Sequence, residues 1–231
     1  MLSNNSLFAV KSLTDSMPPL FIMLSGLPCT GKSTWRARMV NMLENKNITA
    51  RVISADDLAY QIRDEYNQTR EPDHQVTYKD ICNQYRSDLE KRYKNAVIEA
   101  RKISGIVILD RTYLAPQWRK AELDLIKPNP VHMLVFDIQD ELAWNEKLKC
   151  RNETNSEKLI SEEIIKLLSQ GASEPKLEEG FLSITKCHAI GEPKWEETFD
   201  QAIANFIDIY NASDHYNPVM KKEFEYSSPG K

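Results

Sequence analysis

Leu20-Phe21-Ile22-Met23-Leu24 runs into Gly26-Leu27-Pro28-Cys29-Thr30-Gly31-Lys32-Ser33, and Thr34-Trp35 follows. An apolar run, a turn with two glycines and a helix start stand in that order, which is the pattern G-x-x-x-x-G-K-S in its strand–loop–helix setting. Backbone N–H groups of such a loop and the positive end of the helix dipole converge on one point, where an anion binds. The residues expected at the nucleotide are Gly26, Leu27, Pro28, Cys29, Thr30, Gly31, Lys32, Ser33 and Thr34. Lys32 suits the β- and γ-phosphates of a nucleoside triphosphate, and the Ser33 hydroxyl suits Mg²⁺. A turn that merely joined strand to helix would need neither the lysine nor the hydroxyl.

Outward from the loop, strands and helices alternate. Ala50–Ser54, Ile106–Leu109, Val131–Ile138 and a segment within 181–190 are short apolar strand candidates. Leu58, Ile62 and Tyr66 recur every four residues, and Ile81, Tyr85, Leu89, Tyr93, Ala96, Val97 and Ala100 form one long helical stripe. Further helices are expected over 116–126, 140–150 and 159–169, and from Trp195 to Tyr210. This order predicts an α/β fold: a central parallel sheet of about five strands, helices on both faces and a helical lid. Residues 1–17 read as a flexible arm, 18–212 as the domain and 213–231 as a polar tail.

Composition narrows the chemistry. The formal net charge of −4 argues against a general nucleic-acid coat, so any such contact must be local. Cys29, Cys82, Cys150 and Cys187 lie far apart, and neither they nor the four histidines have zinc spacing. No apolar run is long enough to span a membrane. Unpaired thiols with a nucleotide loop point to a reducing, cytoplasmic setting and no membrane partner.

Ligands of such a sheet bind beyond the carboxyl ends of the strands. Two strand ends join the loop there: Asp56-Asp57 and Asp110-Arg111-Thr112. Phosphoryl transfer rests on in-line placement and charge compensation, and a hydroxyl acceptor also needs a carboxylate to take its proton. Asp56 is the favoured general base, with one aspartate of the pair capping the following helix. Asp110, after Ile-Val-Ile-Leu, suits a Mg²⁺ water or the acceptor hydroxyl; alternatively Arg111 bridges to it. Asp57, Asp110, Arg111 and Thr112 are the expected acceptor contacts, and Ser33 and Asp110 the expected metal contacts. Lys147, Lys149 and Arg151 precede a polar stretch suited to a lid, and Arg151 is the candidate transition-state cation.

The segments GLPCTGKSTW (26–35), ISADD (53–57), VILDRTYL (107–114), VFDIQDEL (135–142), Lys149-Cys150-Arg151 and Glu174-Pro175 with Glu179-Gly180-Phe181 occur in the order found in polynucleotide 5′-hydroxyl kinases of the P-loop superfamily. Over about residues 20–190 the chain resembles that family. The resemblance implies ATP as donor with Mg²⁺, a 5′-OH end of DNA or RNA as acceptor, and a ligase that uses the 5′-phosphate product as a pathway partner. It places the base on Asp56, the acceptor end on Asp110-Arg111-Thr112 and the lid arginine on Arg151. Ala59 stands where those enzymes carry an arginine for the acceptor's 3′-phosphate, leaving Arg63 or Arg111 to replace it. No Asp-x-Asp-Gly-Thr phosphatase motif occurs. A small-molecule kinase for a nucleoside, sugar or nucleotide sugar, and a non-catalytic ATP-binding switch, are the alternatives.

Overall fold

The structure is a computed structural model and describes residues 18–155 and 158–213. The arm at 1–17, the tail beyond Ser213 and the middle of the expected lid, 156–157, lie outside the described residues.

Five parallel strands form one sheet: β1 (Leu20–Ser25), β2 (Ala50–Ser54), β3 (Ile106–Asp110), β4 (Val131–Asp137) and β5 (Ser183–His188), in spatial order β2-β3-β1-β4-β5. β1 is central and buried along its whole length, so it reads as a continuous apolar run rather than an alternating one. Leu20, Ile22 and Leu24 face one layer; Phe21 and Met23 face the other.

The first layer is α1 (Lys32–Asn45) with the last helix, α8 (Trp195–Ser213). Trp35 joins them. It is fully buried, meets Phe136 and Phe206 edge-on, and donates its indole N–H to the Phe199 carbonyl at 3.3 Å. Burial of one such ring stabilises by about 1.5–3 kcal/mol. The opposite layer is α4 (Arg86–Ala100) with α5 (Pro116–Ile126). A smaller core joins α2 (Ala55–Asn67), α3 (Tyr78–Asn83) and the start of α4. The remaining helices, α6 (Glu141–Thr154) and α7 (Glu162–Ser169), flank the lid segment.

The long stripe expected over 81–100 is two helices, not one. The chain breaks at Gln84-Tyr85, where both amides reach back to the Asp80 carbonyl. The break turns Tyr85 edge-on to Tyr66, 4.9 Å between ring centres, and lets α3 pack Ile81 against Ala59 and Ile62. Tertiary packing, with no glycine or proline at the break, overrides the helical period. At the lid, α6 runs four residues past the expected end and carries Arg151 in its last turn.

Register is what assembles the functional edge. Leu24 of β1 and Ser54 of β2 both pair with Asp110 of β3. Three strand ends are therefore level, and the segments that follow them emerge side by side. The connections leaving β1 and β4 run to opposite sides of the sheet, so the crevice opens beyond their carboxyl ends.

Candidate active site

The loop after β1 is held from three directions. Its Gly26 amide donates to the Thr112 carbonyl at 3.1 Å, the Ile190 amide donates to Thr30 at 2.9 Å, and Trp144 of α6 donates to Pro28 at 2.7 Å. Gly31 caps α1 with φ of 101°, and a Cβ there would lie 2.9 Å from atoms of Ile190 and Phe199. Only glycine satisfies both the backbone angle and the space. The Lys32 ammonium curls over the loop and donates to the Gly26 and Leu27 carbonyls, each at 2.8 Å. Burial pushes its pKa down to about 8, against the pull of Asp110, Asp56 and Cys29.

A cleft of about 570 Å³ opens above this loop. Pro28, Cys29, Gly31, Lys32, Ser33 and Thr34 line one part of it; Asp56, Asp110, Arg111, Thr112 and Arg151 are among the other lining residues, with Tyr78 and Lys158. Gly26, Leu27 and Thr30 lie beneath as the scaffold of the turn, with the Thr30 hydroxyl donating to the Leu27 carbonyl at 2.9 Å. Asp57 does not line the cleft. It is exposed on the outer side of α2 and pairs with Arg36 at 2.9 Å. Neither aspartate caps α2 with its side chain: Ser54 is the N-cap, and its hydroxyl accepts from the Asp57 amide at 3.2 Å. Arg111 does not bridge to Asp110 either. It pairs with Glu90 of α4, while Asp110 accepts from Arg36 at 3.0 Å.

Asp56 faces the cleft. The Tyr78 hydroxyl donates to it at 2.6 Å, and Lys158, at the far side of the lid segment, pairs with its other oxygen. Desolvation pushes the Asp56 carboxyl up, but Lys158, Tyr78 and Lys32 together outweigh it and hold the pKa below the usual carboxylate range. Asp110, buried at the end of β3, goes the other way: burial raises its pKa despite Lys32 and Arg36, and Asp56 and Asp57 add to the rise. Arg151 reaches the loop from α6, its guanidinium 3.8 Å from the Cys29 sulfur. Two further cations, Arg151 and Lys158, line the same cleft as Lys32.

Sequence reasoning did not find Arg36, Tyr78 or Lys158. For Arg36 a signal existed: it lies four residues after Lys32 and so on the same face of α1. Tyr78 and Lys158 had none, because each meets Asp56 only through the fold.

The buried Arg119 braces the loop after β3. Its guanidinium makes two 2.7 Å bonds to Glu179 and also donates to the carbonyls of Tyr113, Leu114 and Ser173. All of its donors are aimed at fixed partners, so the loop after β3 is tied to the segment before β5. Among the described residues, no helix is long and apolar enough to cross a membrane.

The profile of the AAA domain family matches residues 21–175. No curated protein matches the chain. Among solved structures, Kti12 of Chaetomium thermophilum in complex with ADP-AlF3 is similar at 20% identity and a TM-score of 0.55, over 81% of this chain and 97% of that one. A gluconokinase of Sinorhizobium meliloti is similar at 13% identity and a TM-score of 0.52, over 87% of this chain and 97% of that one. At these identities the likeness shows a shared α/β fold.

Proposed function

Because the chain belongs to the AAA domain family, matched over 21–175, we propose that its cleft transfers the γ-phosphate of ATP to a hydroxyl, with the 5′-OH end of DNA or RNA as acceptor. One observation carries this reading: Asp56 and Lys32 line the same cleft from different strand ends. An alcohol between them would have an electrophilic phosphorus on one side and a proton acceptor on the other.

Asp56 is ionised at neutral pH, so it can orient the hydroxyl from the start. The O–H proton passes to it as the oxygen bonds to phosphorus and becomes acidic, while the bond to the bridging oxygen of ADP breaks. Lys32 and Arg151 face the charge that develops on the transferring oxygens. Among the described residues no group of three His, Cys, Asp or Glu could hold a metal ion. The Ser33 hydroxyl and the Asp110 carboxylate are two oxygen donors in the cleft, a set that fits Mg²⁺ held mainly by phosphates and water. Bound there, Mg²⁺ would neutralise phosphate charge.

A second reading has its own support. Ala59 is fully buried in the α2–α3 core, so the position of the family's acceptor arginine is closed. Arg63 does not line the cleft. A small alcohol would need no such grip. Radiolabelled ATP offered with 5′-OH oligonucleotides, nucleosides and sugars separates the readings. Label on the oligonucleotide is expected; label only on a small acceptor selects the second reading, and binding without transfer excludes both.

Lys32 adds a pH signature. The ammonium form is the one that binds phosphate, and it is lost as pH rises through about 8. The kcat/KM for ATP, which reports groups of the free enzyme, should be flat below this value and fall about tenfold per unit above it. A profile level up to about pH 10, the ordinary lysine range, would show that burial does not perturb Lys32.

A further inference from the structure

A second pocket, of about 350 Å³, lies between α4 and α5. Arg111 and Thr112 line both this pocket and the catalytic cleft, so the two are neighbours across one strand end. One wall carries Arg86, Glu90 and Lys94, spaced four apart on one face of α4; the other carries Trp118, Glu122 and Leu125 of α5. Resting on the kinase reading above, we propose that this pocket is the acceptor's second subsite, holding the phosphodiester and the nucleoside 3′ to the reacting 5′-hydroxyl of a single strand.

Charge supports a phosphate here. Glu90 is committed to Arg111. Arg86 and Lys94 are exposed and make no hydrogen bond or ion pair among the described residues, although both lie near enough to Glu90 to help hold its pKa down. They stand two turns apart, about 12 Å along the helix axis, which leaves room for a nucleotide unit between two cations. The closed arginine position at Ala59 is thereby replaced by cations from a different helix.

Shape and polarity support a base. Trp118 keeps 42% of its surface exposed, and rings of this kind stack bases without regard to sequence. Behind it the floor is a fixed polar chain. Arg111 lies over the Tyr93 ring at 4.4 Å, the Tyr93 and Tyr113 hydroxyls meet at 2.8 Å, and Tyr113 donates to Glu122 at 2.9 Å. The other Glu122 oxygen is buried and has no partner among the described residues. A polar base edge, with a small shift of the carboxyl, would supply one. Burial also pushes the Glu122 pKa up, which weakens its repulsion of an anion.

The test uses the full chain with ADP and Mg²⁺ and a 3′-fluorescein, 5′-OH single strand, in DNA and RNA forms, read by anisotropy. The double variant R86A/K94A should bind about tenfold more weakly and reduce the salt slope by about 1.4, the amount for two contacts on a single strand. Trp118→Ala should weaken binding about tenfold. R86K/K94R should keep wild-type affinity, and ATP binding should be unchanged in every variant. Unchanged strand affinity in R86A/K94A overturns the proposal. Labelling from radioactive ATP is run on the same samples. If the wild type phosphorylates the strand while the variants bind it normally, the subsite falls and the kinase reading stands. If the wild type neither binds nor labels the strand, both fall.

Discussion

Arg151→Ala should lower kcat by about 10³–10⁵-fold, the range for a cation that meets transition-state charge in phosphoryl transfer. The side chain reaches the phosphate loop from the last turn of α6, and its one hydrogen bond among the described residues is the weak contact to Cys29. It is therefore held near the loop without being committed to an acid. Its loss removes no structural ion pair, and the loop keeps its bonds to Thr112, Ile190 and Trp144. The KM for ATP should stay within a few-fold of wild type, so the effect falls on kcat. Lysine at this position should restore only part of the rate, because a point charge replaces a planar fork. Steady-state kinetics of the three proteins checks this. An equal loss in kcat/KM and in ATP affinity would make Arg151 a ground-state phosphate ligand instead.

Asp56→Asn should lower kcat by about 10²–10⁴-fold, the usual worth of a general base. Asparagine keeps the shape and can still accept the bond from Tyr78, but it cannot hold a proton. Nucleotide affinity should be unchanged, since the loop makes its contacts without Asp56. The pair with Lys158 would also be lost, so Lys158→Met is the companion variant. If Lys158→Met is as slow as Asp56→Asn, the pair acts as a unit; if only Asp56→Asn is slow, the carboxylate acts on the acceptor. Transfer at the wild-type rate in Asp56→Asn would reduce Asp56 to a partner for the lid.

The contrast between these residues and Arg36 or Lys158 shows what a sequence can reveal. A phosphate cradle is built from consecutive residues, so Gly26 to Thr34 announce themselves with their strand and helix attached. β1 and β3 are legible because inner strands of a parallel sheet covered on both faces need unbroken apolar runs, whereas the edge strands β2 and β5 carry polar residues. Asp110 ends the β3 run, and Asp56 stands two residues past the end of β2. What is hidden is whatever two distant segments make together. Asp110 meets Arg36 across 74 positions, and Asp56 meets Lys158 across 102. Nothing in either local pattern marks those pairs. Asp57 illustrates the same limit from the other side. One step from Asp56 on a helix is a turn of about 100°, enough to carry it out of the cleft to Arg36. The break at Gln84-Tyr85 likewise depends on Tyr66, a residue of another helix.

The most direct measurement is a crystal structure of the full chain with a non-hydrolysable ATP analogue, Mg²⁺ and a 5′-OH oligonucleotide. The γ-phosphate should lie against Lys32, and the terminal hydroxyl should lie within about 3 Å of an Asp56 carboxylate oxygen, the reach a general base requires. An oligonucleotide end seated elsewhere, with Asp56 still closed off by Lys158 and Tyr78 and no hydroxyl near it, would contradict the assignment.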